Sequence, residues 1–186
     1  MAQRLWEASD ELKRNANITA FLDAVNQRHG LTLSTYPELH RWSIEHIPDF
    51  WAMVWDHAGV IASKPYDRVV DDPYHMPGAK WFEGARMNFA QNLLRRRDDH
   101  IALVFRAEDQ VVQSITYAGL YAMVAGLAKS LRAMGVKPGD RVVGYMPNMI
   151  ETTAAMLAAT AIGATWASCA TDIGPDAAAD RLGQVD

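Results

Sequence analysis

The chain has 186 residues, 49% of them hydrophobic and 22% charged, and a net charge of −4 at pH 7. That length suits one medium domain, or a small one with part of another, and the apolar share suffices for a core. The acidic balance excludes the electrostatic footprint of a nucleic-acid binder, and the single cysteine, Cys169, excludes an internal disulfide and a cysteine-based zinc site.

Residues 1–100 form a helical, loop-rich stretch. The opening MAQRLWEASDELKR has no apolar run and carries acids, so it reads as no secretory signal, and the lone cysteine fits a reducing, cytoplasmic setting. Asn17 or Thr19 is placed to cap a helix whose Phe21, Leu22 and Val25 share a face, and which ends at His29-Gly30. Pro37 marks the start of a second helix carrying Leu39 and Trp42. Pro48 opens a third, with Phe50, Trp51, Val54 and Trp55 along it and Gly59 stopping it. That aromatic stripe reads as a packing face rather than a ligand cage. From Ser63 to Met87 no periodicity is visible, so a long irregular connection held by Trp81 and Phe82 is expected, followed by a short helix over Asn88 to Arg95. The basic run Arg95-Arg96-Arg97 precedes Asp98-Asp99 and reads as a solvated helix end.

Residues 101–186 are more regular. IALVFRA and VVQSITY are β-rich runs around Glu108-Asp109-Gln110, a hairpin pattern. Thr116 is expected to cap a helix with Leu120, Val124, Leu127, Ala128 and Leu131 inward and Gly135 after its end. Arg141 to Tyr145 is a near-continuous apolar strand, as expected where both faces are covered. Asn148 and Glu151 stand at capping-box spacing before a helix rich in alanine, and Gly163 ends it. Ala164 to Ser168 is the next strand, so a right-handed βαβ unit with parallel strands follows. The stretch Ala154 to Ala170 is too rich in Ala, Thr and Gly to span a bilayer. Gly174-Pro175-Asp176 begins a final helix. The fold class is therefore α/β, with the opening of a parallel sheet in the second half.

Catalytic signatures are sparse. The sequence has no G-x-G-x-x-G, no G-x-x-x-x-G-K-[ST], no G-x-S-x-G and no histidine pair at i, i+4. The six histidines are scattered, and the pairs Asp71-Asp72 and Asp98-Asp99 diverge along the backbone. No catalytic residue and no metal ligand is assigned. Cys169 stands at a strand end without a base partner. The loop Ala170-Thr171-Asp172-Ile173-Gly174 is the better candidate, because open α/β sheets bind ligands beyond the carboxyl ends of their strands and a helix N-terminus favours anionic groups. An ordinary strand-to-helix loop is the plain alternative.

The motifs taken together resemble a known family. Thr116-Tyr117-Ala118-Gly119-Leu120, Gly135-Val136-Lys137-Pro138-Gly139-Asp140-Arg141-Val142, Pro147-Asn148-Met149-Ile150-Glu151 and Gly163-Ala164 are similar, in this order, to the adenylate-forming acyl-CoA synthetases. Asn17–Phe21, Tyr36-Pro37-Glu38-Leu39-His40-Arg41-Trp42-Ser43, Phe50-Trp51, Trp81-Phe82-Glu83-Gly84-Ala85-Arg86-Met87-Asn88 and Thr165-Trp166-Ala167-Ser168-Cys169 look like the acetoacetyl-CoA synthetase branch.

The resemblance implies a chain with residues 1–100 as an N-terminal extension and 101–186 as the start of a truncated AMP-binding α/β domain. It implies an acetoacetate–CoA ligase that uses ATP, Mg²⁺ and CoA, releases AMP and diphosphate, and acts on small molecules, not nucleic acid or membrane. Thr171 and Asp172 are the CoA-binding candidates it points to, although the family's serine, proline and phenylalanine around that loop are replaced here. The family's phosphate loop, adenine contacts and catalytic lysine correspond to nothing in these 186 residues. The chain is therefore expected to be inactive alone, to bind none of these cofactors tightly, to self-associate and to complement the remainder of an enzyme. Another short-chain acyl-CoA synthetase, or a non-catalytic assembly module derived from the family, is the alternative.

Overall fold

The structure is a computed structural model and describes residues 6–108 and 112–185. In chain order the elements are α1 (Asp10–Arg14), α2 (Asn17–His29), α3 (Tyr36–Glu45), α4 (Ile47–His57), β1 (Ala62–Lys64), β2 (Arg68–Val70), β3 (Trp81–Glu83), β4 (Arg86–Met87), α5 (Phe89–Leu93), β5 (Ile101–Arg106), β6 (Val112–Thr116), α6 (Tyr117–Ala133), β7 (Arg141–Tyr145), α7 (Ile150–Ala161), β8 (Thr165–Cys169) and α8 (Pro175–Leu182). They fall into two compact units. The first comprises the described residues up to Val60 with Lys64–Ala85, and the second Ile61–Ser63 with the residues from Arg86 onward.

In the first unit, α2, α3 and α4 enclose Phe21, Val25, Leu39, Trp42 and Met53. Two of the helix starts have a side-chain cap. Ser9 caps α1 by accepting from Leu12 N. Thr35 and Glu38 form a capping box: the Glu38 carboxylate accepts from Ser34 N at 2.8 Å and Thr35 N at 2.9 Å. The Ser34 amide, and after it the Thr35 side chain and amide, hold the Glu38 carboxyl below its ordinary range. The Asn26 side chain exchanges two 2.8 Å bonds with the Leu33 backbone and so folds the loop before α3 back onto α2. The aromatic stripe of α4 does pack. Phe50 meets Phe21 edge-on at 5.9 Å, Trp51 meets Trp81, and Trp55 meets Phe82 at 4.7 Å.

The W-F-E-G-A run gains a physical reading here. Phe82 adopts φ +47, unusual for a residue with a Cβ, and its ring is held between Trp55 and Tyr66. Gly84 sits at φ +85, where an added Cβ would overlap the Asp67 carboxylate.

In the second unit, β5 and β6 form an antiparallel hairpin, Thr116 caps α6 through Gly119 N at 3.1 Å, and β7 and β8 pair in parallel from Arg141↔Thr165 to Tyr145↔Cys169. The fully buried Ala154, Ala158 and Ala159 of α7 share a core with Ala90, Leu94, Leu120, Val124 and Ala128. Small side chains allow that close helix packing. Asn88 ties two helix ends together. Its Oδ1 accepts from Gln91 N at 3.0 Å and caps α5, while its Nδ2 donates to Thr160 O at 2.9 Å at the end of α7.

Several expectations are corrected. The region from Ser63 to Met87 is not irregular throughout; β1 pairs with β4 and β2 with β3. Strands of two or three residues leave no readable alternation. Neither Asn17 nor Thr19 caps α2: the N-cap is Ala16, and the Thr19 hydroxyl donates to Lys13 O at 2.6 Å, joining α2 to α1. Asn148 and Glu151 form no capping box, because α7 begins one residue later, with Met149 at the N-cap. Leu127, at the edge of the face of Leu120, Val124 and Ala128, is 37% exposed rather than inward. α7 covers the face of Val142 and Trp166, and α8 lies on the other, where Arg141 and Tyr145 bond to its flanking residues, yet Val143 between them remains 45% exposed. The final strand is shifted by one residue to Thr165–Cys169, and the helix over Asn88 to Arg95 contracts to α5. Asp109 and Gln110 of the hairpin turn lie outside the described residues.

Candidate functional site

The parallel pairing brings the carboxyl ends of β7 and β8 together. Tyr145 stands opposite Cys169, and Met146 N donates to Cys169 O at 3.2 Å. From there the chain turns through Ala170 to Gly174 into α8, where Pro175 takes the first turn with Asp176. The Tyr145 hydroxyl donates to Ile173 O at 2.5 Å, with Thr171 O at 3.5 Å. One phenol therefore anchors the underside of the loop.

Thr171 and Asp172 are both exposed, and among the described residues neither side chain makes a hydrogen bond or an ion pair. Their side chains are available to solvent above a tethered backbone. Chemically, Thr171 can donate or accept and Asp172 accepts only. With Asp176 already at the start of α8, this end suits hydroxyl or amide donors better than a phosphate. Sequence reasoning found the loop but not Tyr145. The signal was present: it is the last residue of a strand whose parallel partner feeds the loop.

Cys169 is half-buried and free. Among the described residues no group of three or more His, Cys, Asp or Glu gathers in metal-binding geometry. Gly144 also has a role at this end. An added Cβ would come 2.7 Å from the Trp166 ring, so glycine leaves the space that the indole occupies. Trp166 Nε1 in turn donates to Ser168 Oγ at 3.2 Å. At the same end of the sheet, a groove of about 310 Å³ runs between β5 and the start of α7, lined by Leu103, Phe105, Asn148, Met149, Ile150 and Thr153. The helix start beside it has no side-chain cap.

Among the described residues no helix is long and apolar enough to cross a membrane. The sequence model described as "AMP-binding enzyme" matches residues 89–186, and that of the "Acetyl-coenzyme A synthetase N-terminus" matches residues 36–93. The chain is 42% identical over 176 residues to acetoacetyl-CoA synthetase of Xenopus tropicalis, covering 93% of this chain and 26% of that protein. It is 39% identical to malonamoyl-CoA synthetase of Penicillium aethiopicum, covering 98% of this chain and 26% of that one. The solved acetoacetyl-CoA synthetase of Streptomyces lividans superposes with a TM-score of 0.87 at 41% identity, covering 99% of this chain and 29% of that one. The chain thus spans about a quarter of the length of the curated relatives it matches. With a parallel βαβ crossover inside a stretch matched over more than half its length, the chain belongs to the AMP-binding enzyme family.

Proposed function

We propose that this chain is the N-terminal part of an acetoacetate–CoA ligase. Similarity to acetoacetyl-CoA synthetases over nearly its whole length is the observation that carries this reading. In the complete enzyme the acetoacetate carboxylate attacks the α-phosphorus of ATP, expelling diphosphate, and the CoA thiol then displaces AMP from the acyl-adenylate. Mg²⁺ offsets the phosphate charge in such a reaction. No residue of this chain is assigned to ATP, the metal or the chemical steps.

Residues 1–100 serve as the extension and 101–186 as the opening of the nucleotide-binding domain, a division supported by the two family matches meeting near residue 90. The Tyr145-anchored loop is the part we assign to CoA, with Thr171 and Asp172 meeting its hydroxyl and amide groups. Alone, the chain is inactive, and the outer edge of β8, which among the described residues pairs only with β7, favours self-association or pairing with the rest of the enzyme. Cytoplasmic location and a place in ketone-body and lipid metabolism complete the reading.

The test is ATP–diphosphate exchange. The full-length protein should exchange in the presence of acetoacetate, and the 186-residue chain should not. A full-length protein without acetoacetate-dependent exchange refutes the ligase; robust exchange by the short chain refutes its inactivity. The likeness to malonamoyl-CoA synthetase favours a second reading, in which the acid is a different short one. Faster exchange with malonamate than with acetoacetate would establish it.

A further inference from the structure

A cleft of about 360 Å³ lies between α5, α6 and the C-terminal end of α7. Its floor is apolar, formed by the buried Ala90, Leu94, Val124 and Ala128, with Ala125 and Ala161 beside them. Arg97 and Arg132 stand on its rim, both exposed. Among the described residues neither guanidinium pairs with a carboxylate, whereas the neighbouring Arg96 pairs with Asp98 at 2.7 Å. The Arg97 guanidinium lies 3.9 Å above the centre of the Tyr121 ring, so it is held in place by stacking rather than sweeping freely.

We propose that this cleft is a binding site for a short-chain organic anion. Its acidic head lies between Arg97 and Arg132, and its few-carbon body rests on the apolar floor. Guanidinium forks match carboxylate and phosphate oxygens in plane, and two cations lining one hollow repel each other until an anion lies between them. The volume falls at the small end of ligand pockets, which run from roughly 300 to 1,000 Å³. The site is separate from the Tyr145-anchored loop. As the crossover between parallel strands, α7 runs against them, so its C-terminal end lies at the amino ends of β7 and β8, opposite that loop.

The experiment is a titration of the whole chain with sodium butyrate at constant ionic strength, read from the Nε–Hε signals of Arg97 and Arg132. Inorganic phosphate serves as head group alone and butylammonium as the body with the wrong charge. Butyrate should shift both signals saturably, phosphate should bind more weakly, and butylammonium should shift neither. R132Q should weaken butyrate roughly tenfold by removing one charge-assisted pair. A125L should weaken it too, by adding bulk along the exposed α6 side of the cleft. Absence of saturable shifts, or unchanged affinity in both variants, overturns the proposal. Phosphate binding as tightly as butyrate overturns the assignment of an apolar-bodied ligand.

Discussion

Replacing Asn88 by alanine should destabilise the second unit at two helix ends at once. The side chain caps α5 through Gln91 N at 3.0 Å and donates to Thr160 O at 2.9 Å, with Ala161 O at 3.4 Å. Loss of an N-cap costs about 1 kcal/mol. The bond to α7 is worth a further ~1 kcal/mol, since Thr160 is half-buried and water replaces the donor only in part. The sum, about 2 kcal/mol, corresponds to a fall in Tm of roughly 4–8 °C for a chain of this size. N88S separates the two contributions, because serine also caps but cannot reach α7, and it should lose about half as much. Urea melts followed by far-UV circular dichroism measure the totals. Amide exchange assigns them: Gln91 should lose protection in N88A and keep it in N88S. Equal losses in both variants, or a change in N88A below about 0.5 kcal/mol, would refute the two-ended role.

Other expectations follow from single residues. G84A should cost about 1–2 kcal/mol, because alanine is strained at φ +85. Removing the Asp67 carboxylate in the same protein should relieve the overlap and not the backbone strain, so complete rescue in G84A/D67A would contradict this. Y145F should leave the fold intact and release the loop, seen as faster exchange around Ile173 and about 1 kcal/mol of lost stability; unaltered loop exchange would show that the phenol is no anchor. The Glu38 carboxyl is held below its ordinary pKa of about 4.3 by bonds from Ser34 and Thr35. Its contribution is therefore present above that value and lost as pH falls through the lower folded-state value. Stability measured from about pH 5 downward should decline less steeply in E38Q than in the wild type, and parallel curves would exclude the capping box as the cause.

Much of the second half was legible because its signals are local. Thr116 before α6, Gly135 and Gly139 at positive φ around the turn, and Pro175 in the first turn of α8 act through their own backbone neighbours. The parallel pairing followed from a strand, a helix and a strand joined by short loops. Where the signal was non-local, reading failed. β1 to β4 are too short to carry a period, and their partners lie up to two dozen residues away. The exposure of Leu127 and Val143 depends on which surfaces neighbouring elements cover, not on how apolar the residue is. At the candidate site the loop Thr171–Gly174 was visible from its place after a strand. Tyr145 was not, because a tyrosine ending one strand and a carbonyl beyond the next become neighbours only when the strands pair in register.

By itself the sequence determined most of the helices and their glycine stops, the Thr116 cap, the α/β class of the second half and the likeness to adenylate-forming enzymes. All of these rest on residue type and spacing within a few turns of chain. Only the tertiary structure decided that Asn88 joins α5 to α7, that Tyr145 anchors the loop bearing Thr171 and Asp172, and that Arg97 and Arg132 line one cleft. Each of these joins groups from 26 to 72 residues apart. Packing sets such distances, and no local pattern encodes them.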